Sequence, residues 1–553
     1  MQAPRLGLTA AAVALALSAC GGGSGSGPKA DSPSSPSAGT LELASKAFPQ
    51  GLAISSPTEV DNEVLTQVAV RESSFLQSLA RLVHHMMPSA VAQATPSSAF
   101  AARVGRIDSL LNGSTPVLTL IRPERLLETE VDAQCYGPDL KYDALNHPNA
   151  GSGAPGSPGT TLPPGDLGLW NETEGSSTEA CAAAQLNARM KGTAQRANQA
   201  LRMLAVLTQK AAARSGGLPA VGAGALDLTS SMPAIPGITW TLAQLEQTSA
   251  NNFQSTIQAS YTNSGTGETH RIDLTMRHAS VTPAAVYNGL LSYAITGKYN
   301  GGNCPGSSGS HDVTWVGTLA YDRSSASQLD ASHRSGMYCG AGTTAGSLAT
   351  DRGASFASDG QLDPASKLGG SGVGSGQGWG NNFSRFAASL NPSTEAGRYV
   401  YVWQAGPNDN YGRTLQVTLD QLAGTKIGVA HFGFGEDIAA TGSGSIKGMF
   451  CNWAGPGNSR TYAEYAQEQT LVQSAGTGVW TPQALGSSKI LYAATNSCTD
   501  SSTTAWLDRN DDGTINASDT PVTVTGSEAN FLKDKGSAAS ITDALAFSLP
   551  SKY

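Results

Sequence analysis

The sequence predicts an α+β fold: a helical N-terminal part followed by a large antiparallel β domain, a sandwich or a barrel, with long Gly-rich loops. Two observations carry this. Apolar residues recur three or four apart in the first part of the chain, and the period changes to two from about residue 237. A third is composition: 64 Gly and only 14% charged residues among 553 suit strands joined by long turns better than helical bundles.

The helical signals come first. Over 58–87, Leu65, Val68, Leu76, Leu79, Val83 and Met86 fall mostly three or four apart, and Pro88 ends the run. A short helix is expected at about 98–112 and a longer one from about Thr178 to Arg214. In the longer one, Ser176 with Glu179 fits a capping box, and Gly216 fits a stop. Its apolar face holds Leu186, Met190, Ala194, Ala197, Leu201 and Leu204, with Thr208. Between the two helices lies the Gly/Pro loop 148–166.

The strand signals follow. In YNGLLSYAITGKY, residues Tyr287, Leu291, Tyr293, Ile295 and Tyr299 share one face, with Leu290 as the exception on the other. DVTWVGTLAYD puts Val313, Trp315, Leu319 and Tyr321 together, and FQSTIQASY and RTLQVTL alternate likewise. RYVYVWQ, 398–404, is apolar on both faces and reads as a central strand. Long loops such as 366–382 separate these runs.

The N-terminus supplies an address. Arg5 precedes an apolar run from about Leu6 to Leu17, too short to span a bilayer, which needs roughly 20 apolar residues. The run closes with Leu17-Ser18-Ala19-Cys20. This resembles the lipobox of bacterial lipoproteins. The resemblance implies that residues 1–19 are a signal peptide and that Cys20 is lipid-modified, with palmitate among its acyl chains, as the first mature residue. Gly21 follows instead of an Asp, which implies an outer-membrane anchor. The stretch 20–45 is expected to be a flexible Gly/Ser/Pro tether, 46–225 mainly helical, 226–500 the β domain, and 501–553 a C-terminal segment.

Removing residues 1–19 takes away one Arg and no acid, moving the formal charge from −8 to −9. Mild acidity argues against nucleic acid or anionic membrane as a partner. Beyond Cys20 six Cys remain: Cys135, Cys181, Cys304, Cys339, Cys451 and Cys498. An even set in an exported chain reads as disulfides, and six Cys allow fifteen pairings. Pairing of sequence neighbours is the expectation: Cys135–Cys181, Cys304–Cys339 and Cys451–Cys498. Each closed loop would contribute on the order of 4 kcal/mol in the chain-entropy model.

One stretch carries ion chemistry. In DRNDDGTINASD, oxygens fall at Asp508, Asn510, Asp512, Thr514 (through its carbonyl), Asn516 and Asp519, with Gly513 where a sharp turn is needed and Ile515 as an apolar anchor. The pattern resembles the calcium loop of EF-hands, especially the dockerin type, and implies Ca2+ as a structural cofactor. Two features depart from that family. Asp519 is shorter than the usual Glu, and Pro521 with the β-branched run after it favours a strand over an exiting helix. The loop also occurs once, so docking through paired loops is not implied. The expectation is a clip between β-type segments, with affinity in the range of roughly 10⁻⁴–10⁻³ M typical of extracellular modules.

Enzyme motifs are absent: no GxSxG, HExxH or Gly-rich phosphate loop. His84-His85-Met86-Met87 points in several directions on a helix and does not make a shared copper site. His270 and His278 share parity with Ile272, Leu274 and Met276 and read as strand-end packing. Glu436-Asp437 follows an apolar strand and is expected at a loop; carboxylates can do acid–base work on glycosides, with partners supplied from elsewhere in the fold. The leading functional expectation is an outer-membrane-anchored lipoprotein that binds a glycan or protein ligand or mediates adhesion. The alternatives are a polysaccharide hydrolase and a structural component of an envelope complex.

Overall fold

The computed structural model describes residues 38–61, 98–128, 140–141, 181–282, 285–300, 310–339, 355–356, 362–363, 378–379, 383–405, 412–422, 427–437, 446–448, 469–473, 478–482, 489–494, 503–508, 516–518 and 520–522. Pro36–Tyr553 forms one compact unit; the other unit, Met1–Ser35, lies outside the described residues.

Among the described residues the α-helices are α1 (Ala38–Ala47), α2 (Ala99–Leu111), α3 (Val117–Leu120) and α4 (Cys181–Ala212). After β1 (Leu140–Lys141) and α4 comes a long antiparallel run. It begins with β2 (Leu226–Asp227), β3 (Ile238–Ser249), β4 (Asn252–Thr262), β5 (Thr269–Thr282), β6 (Val286–Asn300), β7 (Ser310–Ser325) and β8 (Gln328–Cys339). Three two-residue strands follow: β9 (Ser355–Phe356), β10 (Leu362–Asp363) and β11 (Gly378–Trp379). The run resumes with β12 (Phe383–Leu390), β13 (Gly397–Ala405), β14 (Gly412–Leu422), β15 (Ile427–Asp437), β16 (Ile446–Gly448), β17 (Gln469–Gln473) and β18 (Trp480–Pro482). Last come β19 (Lys489–Ala494), β20 (Thr503–Asp508) and β21 (Thr520–Val522).

One 15-stranded sheet runs β18-β17-β15-β14-β13-β12-β8-β7-β6-β5-β4-β3-β2, with β11 beside β8 and β16 beside β15. Most neighbours in it are consecutive in sequence, the product of hairpins. A separate four-stranded sheet has the order β1-β19-β20-β21, and β9 pairs with β10.

The period-two reading assigns the sheet's inner face correctly. Register aligns Ile257, Leu274, Tyr293 and Gly317 across four strands, and Ile272, Ile295, Trp315 and Met337 across the adjoining row. These positions, other than Gly317, belong to one core together with α1, α2 and α4. Leu290, the exception, is buried on the opposite face.

Around α4 the burial is unusual. Every residue from Met190 to Thr208 except Lys191 is buried, not only the apolar stripe. A helix buried all round is normally apolar all round; this one carries Gln195, Arg196, Asn198, Gln199 and Arg202. For four of them the partners explain it. Asn198 accepts from the Ile54 N–H (3.0 Å) and donates to the Ile54 carbonyl (2.7 Å). Gln199 accepts from the Arg122 N–H (3.0 Å), and Arg202 donates to the Leu120 carbonyl (2.8 Å). Arg196 donates to the Glu128 carbonyl (2.6 Å) and lies 5.9 Å from the Trp315 ring centroid. These side chains satisfy main-chain groups of irregular segments that would otherwise be buried without partners. The sequence reading saw the apolar stripe and missed this polar one.

Three boundaries are corrected. Helix α1 begins at Ala38, inside the stretch expected to be a tether; Leu41 and Leu43 pack against the core and Ala44 and Ala47 are buried in it, which anchors a segment whose composition resembles a linker. Residues 58–61, expected to open a helix, form part of a turn and a Val60–Ser98 bridge, and the rest of that expected helix lies outside the described residues. Helix α4 ends at Ala212, and the left-handed residue beyond it is Gly217 (φ 62°), not Gly216.

Candidate functional site

The segment expected to bind an ion lies between two paired strands. Strands β20 and β21 pair antiparallel, with Leu507 opposite Thr520 and Trp506 opposite Pro521. The segment from Asp508 to Asp519 therefore leaves one strand and enters the next, as the Pro521 argument requires. Asp508 is the last residue of β20, and the Asn516 side chain accepts from the Ser518 N–H (2.8 Å), an Asx turn. Asn510, Asp512, Thr514 and Asp519 lie outside the described residues. Among the described residues no group of three or more His, Cys, Asp or Glu is placed to hold a metal ion.

Of the cysteines, Cys181 opens α4 and Cys339 closes β8. Cys20, Cys135, Cys304, Cys451 and Cys498 lie outside the described residues, as does His84-His85-Met86-Met87. Cys339 stands opposite Val313 of β7.

Glu436 and Asp437 were expected at a loop and lie in strand β15. Pairing with β14 and β16 extends the strand through them: Glu436 stands opposite Arg413 and Lys447, and Asp437 opposite Gly412 and Ile446. Consecutive strand positions belong to opposite faces, so these two do not form a facing acid–base pair.

The histidines behave as packing residues. His278 is fully buried, its Nδ1 3.1 Å from the Tyr321 hydroxyl, and burial holds it far below its usual range, at about 3. Its ring lies 5.5 Å from that of Tyr287. His333 repeats the theme: its Nε2 is 3.1 Å from the Tyr293 hydroxyl, and burial, then the Arg196 charge, lower it to about 3. Beneath these aromatics sit glycines. Tyr321 is paired across strands with Gly289, and Tyr293 with Gly317. A Cβ at either glycine would overlap the tyrosine that leans over it.

Two buried carboxyls escaped the sequence reading. Asp108 on α2 accepts from the Gly51 N–H (3.1 Å) near Arg323, and burial raises it to about 6 against the opposing pull of that bond and charge. Glu395, in the β12–β13 turn, is bonded to Ser98 and raised by burial to about 7. No local pattern marks either one, because each is buried by segments remote in sequence.

No family model matches the chain, and neither the curated proteins nor the solved structures contain a match. The assignment therefore rests on the residues.

One open cleft of about 640 Å³ is bounded by α1, the chain just after α4, the β3–β4 turn and the end of β5. Lys46 and Arg214 line it, and among the described residues no acidic one does. Both are exposed. Leu218, Phe253 and Val281 supply its apolar surface. Its size is that of a small-molecule site.

Proposed function

We propose that this chain is an outer-membrane lipoprotein anchored through Cys20, whose body binds a glycan or protein ligand. The wide sheet acts as a curled, barrel-like wall around α4, and a calcium ion clips the β20–β21 hairpin. The observation that supports a binding role is the filled interior. One face of the sheet packs against the chain's own helices, and Asn198, Gln199 and Arg202 of α4 are bonded to its own main chain. A body braced in this way offers its rim, with long Gly-rich connections, for recognition.

Binding is tested by presenting the purified protein to glycan and protein arrays. Saturable retention of one ligand class is expected, and retention of none overturns the reading. The anchor is tested by metabolic labelling with an alkyne fatty acid: Cys20→Ala should lose the label. Protease shaving of intact cells reports which side of the outer membrane the body faces. Non-reducing peptide mapping should recover Cys135–Cys181, Cys304–Cys339 and Cys451–Cys498.

A further inference from the structure

We propose that the cleft between α1 and the β3–β4 turn binds a small sugar acid, a uronate, with its carboxylate on Lys46 and Arg214. The inference rests on the binding reading above and names a site and ligand class for it.

Three observations converge. The first is charge. Lys46 lies in the last turn of α1 and Arg214 two residues beyond α4, so the ends of two helices bring both cations to one cleft without an acid among its walls. Cations at helix C-termini also offset the helix dipole. At α4, however, the Gln209, Ala211 and Arg214 carbonyls already accept from the Ala213, Arg214 and Gly217 N–H groups. The cations are therefore available to a carboxylate, and charge-assisted bonds of this kind are the strong ones.

The second is an unanswered hydroxyl. Ser280 lines the cleft, is only 4% exposed, and its Oγ has no hydrogen-bond partner in the protein. Its N–H is bonded to the Asn251 carbonyl (3.0 Å), which holds the residue in place beside the β3–β4 turn. The Oγ itself is shielded from the cleft. A buried hydroxyl left unpaired is unfavourable by about 1–3 kcal/mol, so a turn about the Ser280 Cα–Cβ bond that brought the Oγ to a ligand hydroxyl in the cleft would gain a bond.

The third is the apolar part. Val281, next to Ser280, is 70% exposed at the mouth of the cleft, and Leu218 and Phe253 lie in its wall. A uronate has an anionic carboxylate, hydroxyls and an apolar C–H face, one feature for each element of the cleft. A bare inorganic anion would use only the first, and a neutral sugar only the other two.

The test is calorimetric titration of the full-length protein in detergent with sodium D-glucuronate, D-glucose and sodium sulfate, and with an oligosaccharide ending in glucuronate. Saturable glucuronate binding is expected, weakened about tenfold or more in K46A/R214A. Glucose should bind far more weakly, and S280A should weaken glucuronate while leaving the circular dichroism spectrum unchanged. The oligosaccharide arm distinguishes a free sugar acid from a chain terminus as the source. Absence of saturable glucuronate binding overturns the proposal, as does equal binding by K46A/R214A. Sulfate binding as strongly as glucuronate and displacing it would mean an adventitious ion only. An array ligand that K46A/R214A retains in full removes this cleft from the account and leaves the binding reading standing; no array ligand for either form removes both.

Discussion

Ser98 and Glu395, 297 positions apart, meet in the core, where the Ser98 hydroxyl donates to the Glu395 carboxylate. Ser98 is the N-cap of α2 and accepts from the Ala101 N–H (3.2 Å). Glu395 has positive φ (55°), an uncommon backbone for a non-glycine residue, held by its N–H to the Asn391 carbonyl (2.8 Å). One hydroxyl thus joins the start of a helix to the tip of the β12–β13 hairpin.

Glu395 makes stability depend on pH. Its ordinary value is 4.5 and burial raises it to about 7, so the folded state binds the extra proton between those values. Its contribution is fully present below about pH 4.5 and lost as pH rises through 7. Glu395→Gln keeps an acceptor for Ser98 and cannot ionise. At pH 8 the variant should be more stable by about 1–3 kcal/mol, and at pH 4.5 close to wild type, in urea unfolding. A variant less stable at pH 8 would contradict this.

His278 and His333 act in the opposite direction. Burial lowers both from 6.5 to about 3, so the unfolded chain binds more protons in that window and stability falls with falling pH. Asp108 and Glu395 mask part of this loss, because both gain stability as pH falls over the same range. In the double variant D108N/E395Q, stability should therefore decline more steeply between pH 6.5 and 5 than in wild type. Parallel stability curves over that range would refute the assignment.

Gly317 is required by the ring of Tyr293 above it. A Cβ there meets ring atoms packed in turn against His333, so G317A should cost about 3 kcal/mol in thermal or urea unfolding. Gly105, in the exposed middle of α2, has nothing within 4 Å of where a Cβ would go. G105A should be stabilising by about 0.5–1 kcal/mol. Equal effects of the two substitutions would mean that the tyrosine–glycine fit is not the cause.

The calcium proposal predicts that chelator lowers the melting temperature of wild type and leaves D512A unchanged. Elemental analysis should find one calcium per wild-type chain. An unchanged melting temperature together with no bound calcium removes the ion from the account.

Much of the sheet was legible in the sequence. Strand alternation is local, since neighbouring residues on a strand must face opposite ways, and so Tyr287, Leu291, Tyr293 and Ile295 could be assigned to one face from spacing alone. The same logic placed His270 and His278 with the core and Trp315 beside them. Legibility ended where burial depended on chain returning from elsewhere. Glu436 and Asp437 read as a loop, because only pairing with β14 and β16 shows that the strand continues through them.

By itself the sequence determined a long helix with Cys181 in its first turn, the shift to a two-residue period near Ile238, and a polar loop entering a strand at Pro521; each rests on forces between residues close in the chain. Only the tertiary structure decided that α4 is enclosed on all sides with its polar residues bonded to Ile54, Leu120 and Arg122. It also decided that Ser98 meets Glu395 and that Lys46 and Arg214 share one cleft. The physical reason is the same in each case: desolvation and charge act through space, and the groups concerned are brought together only after the chain has closed on itself.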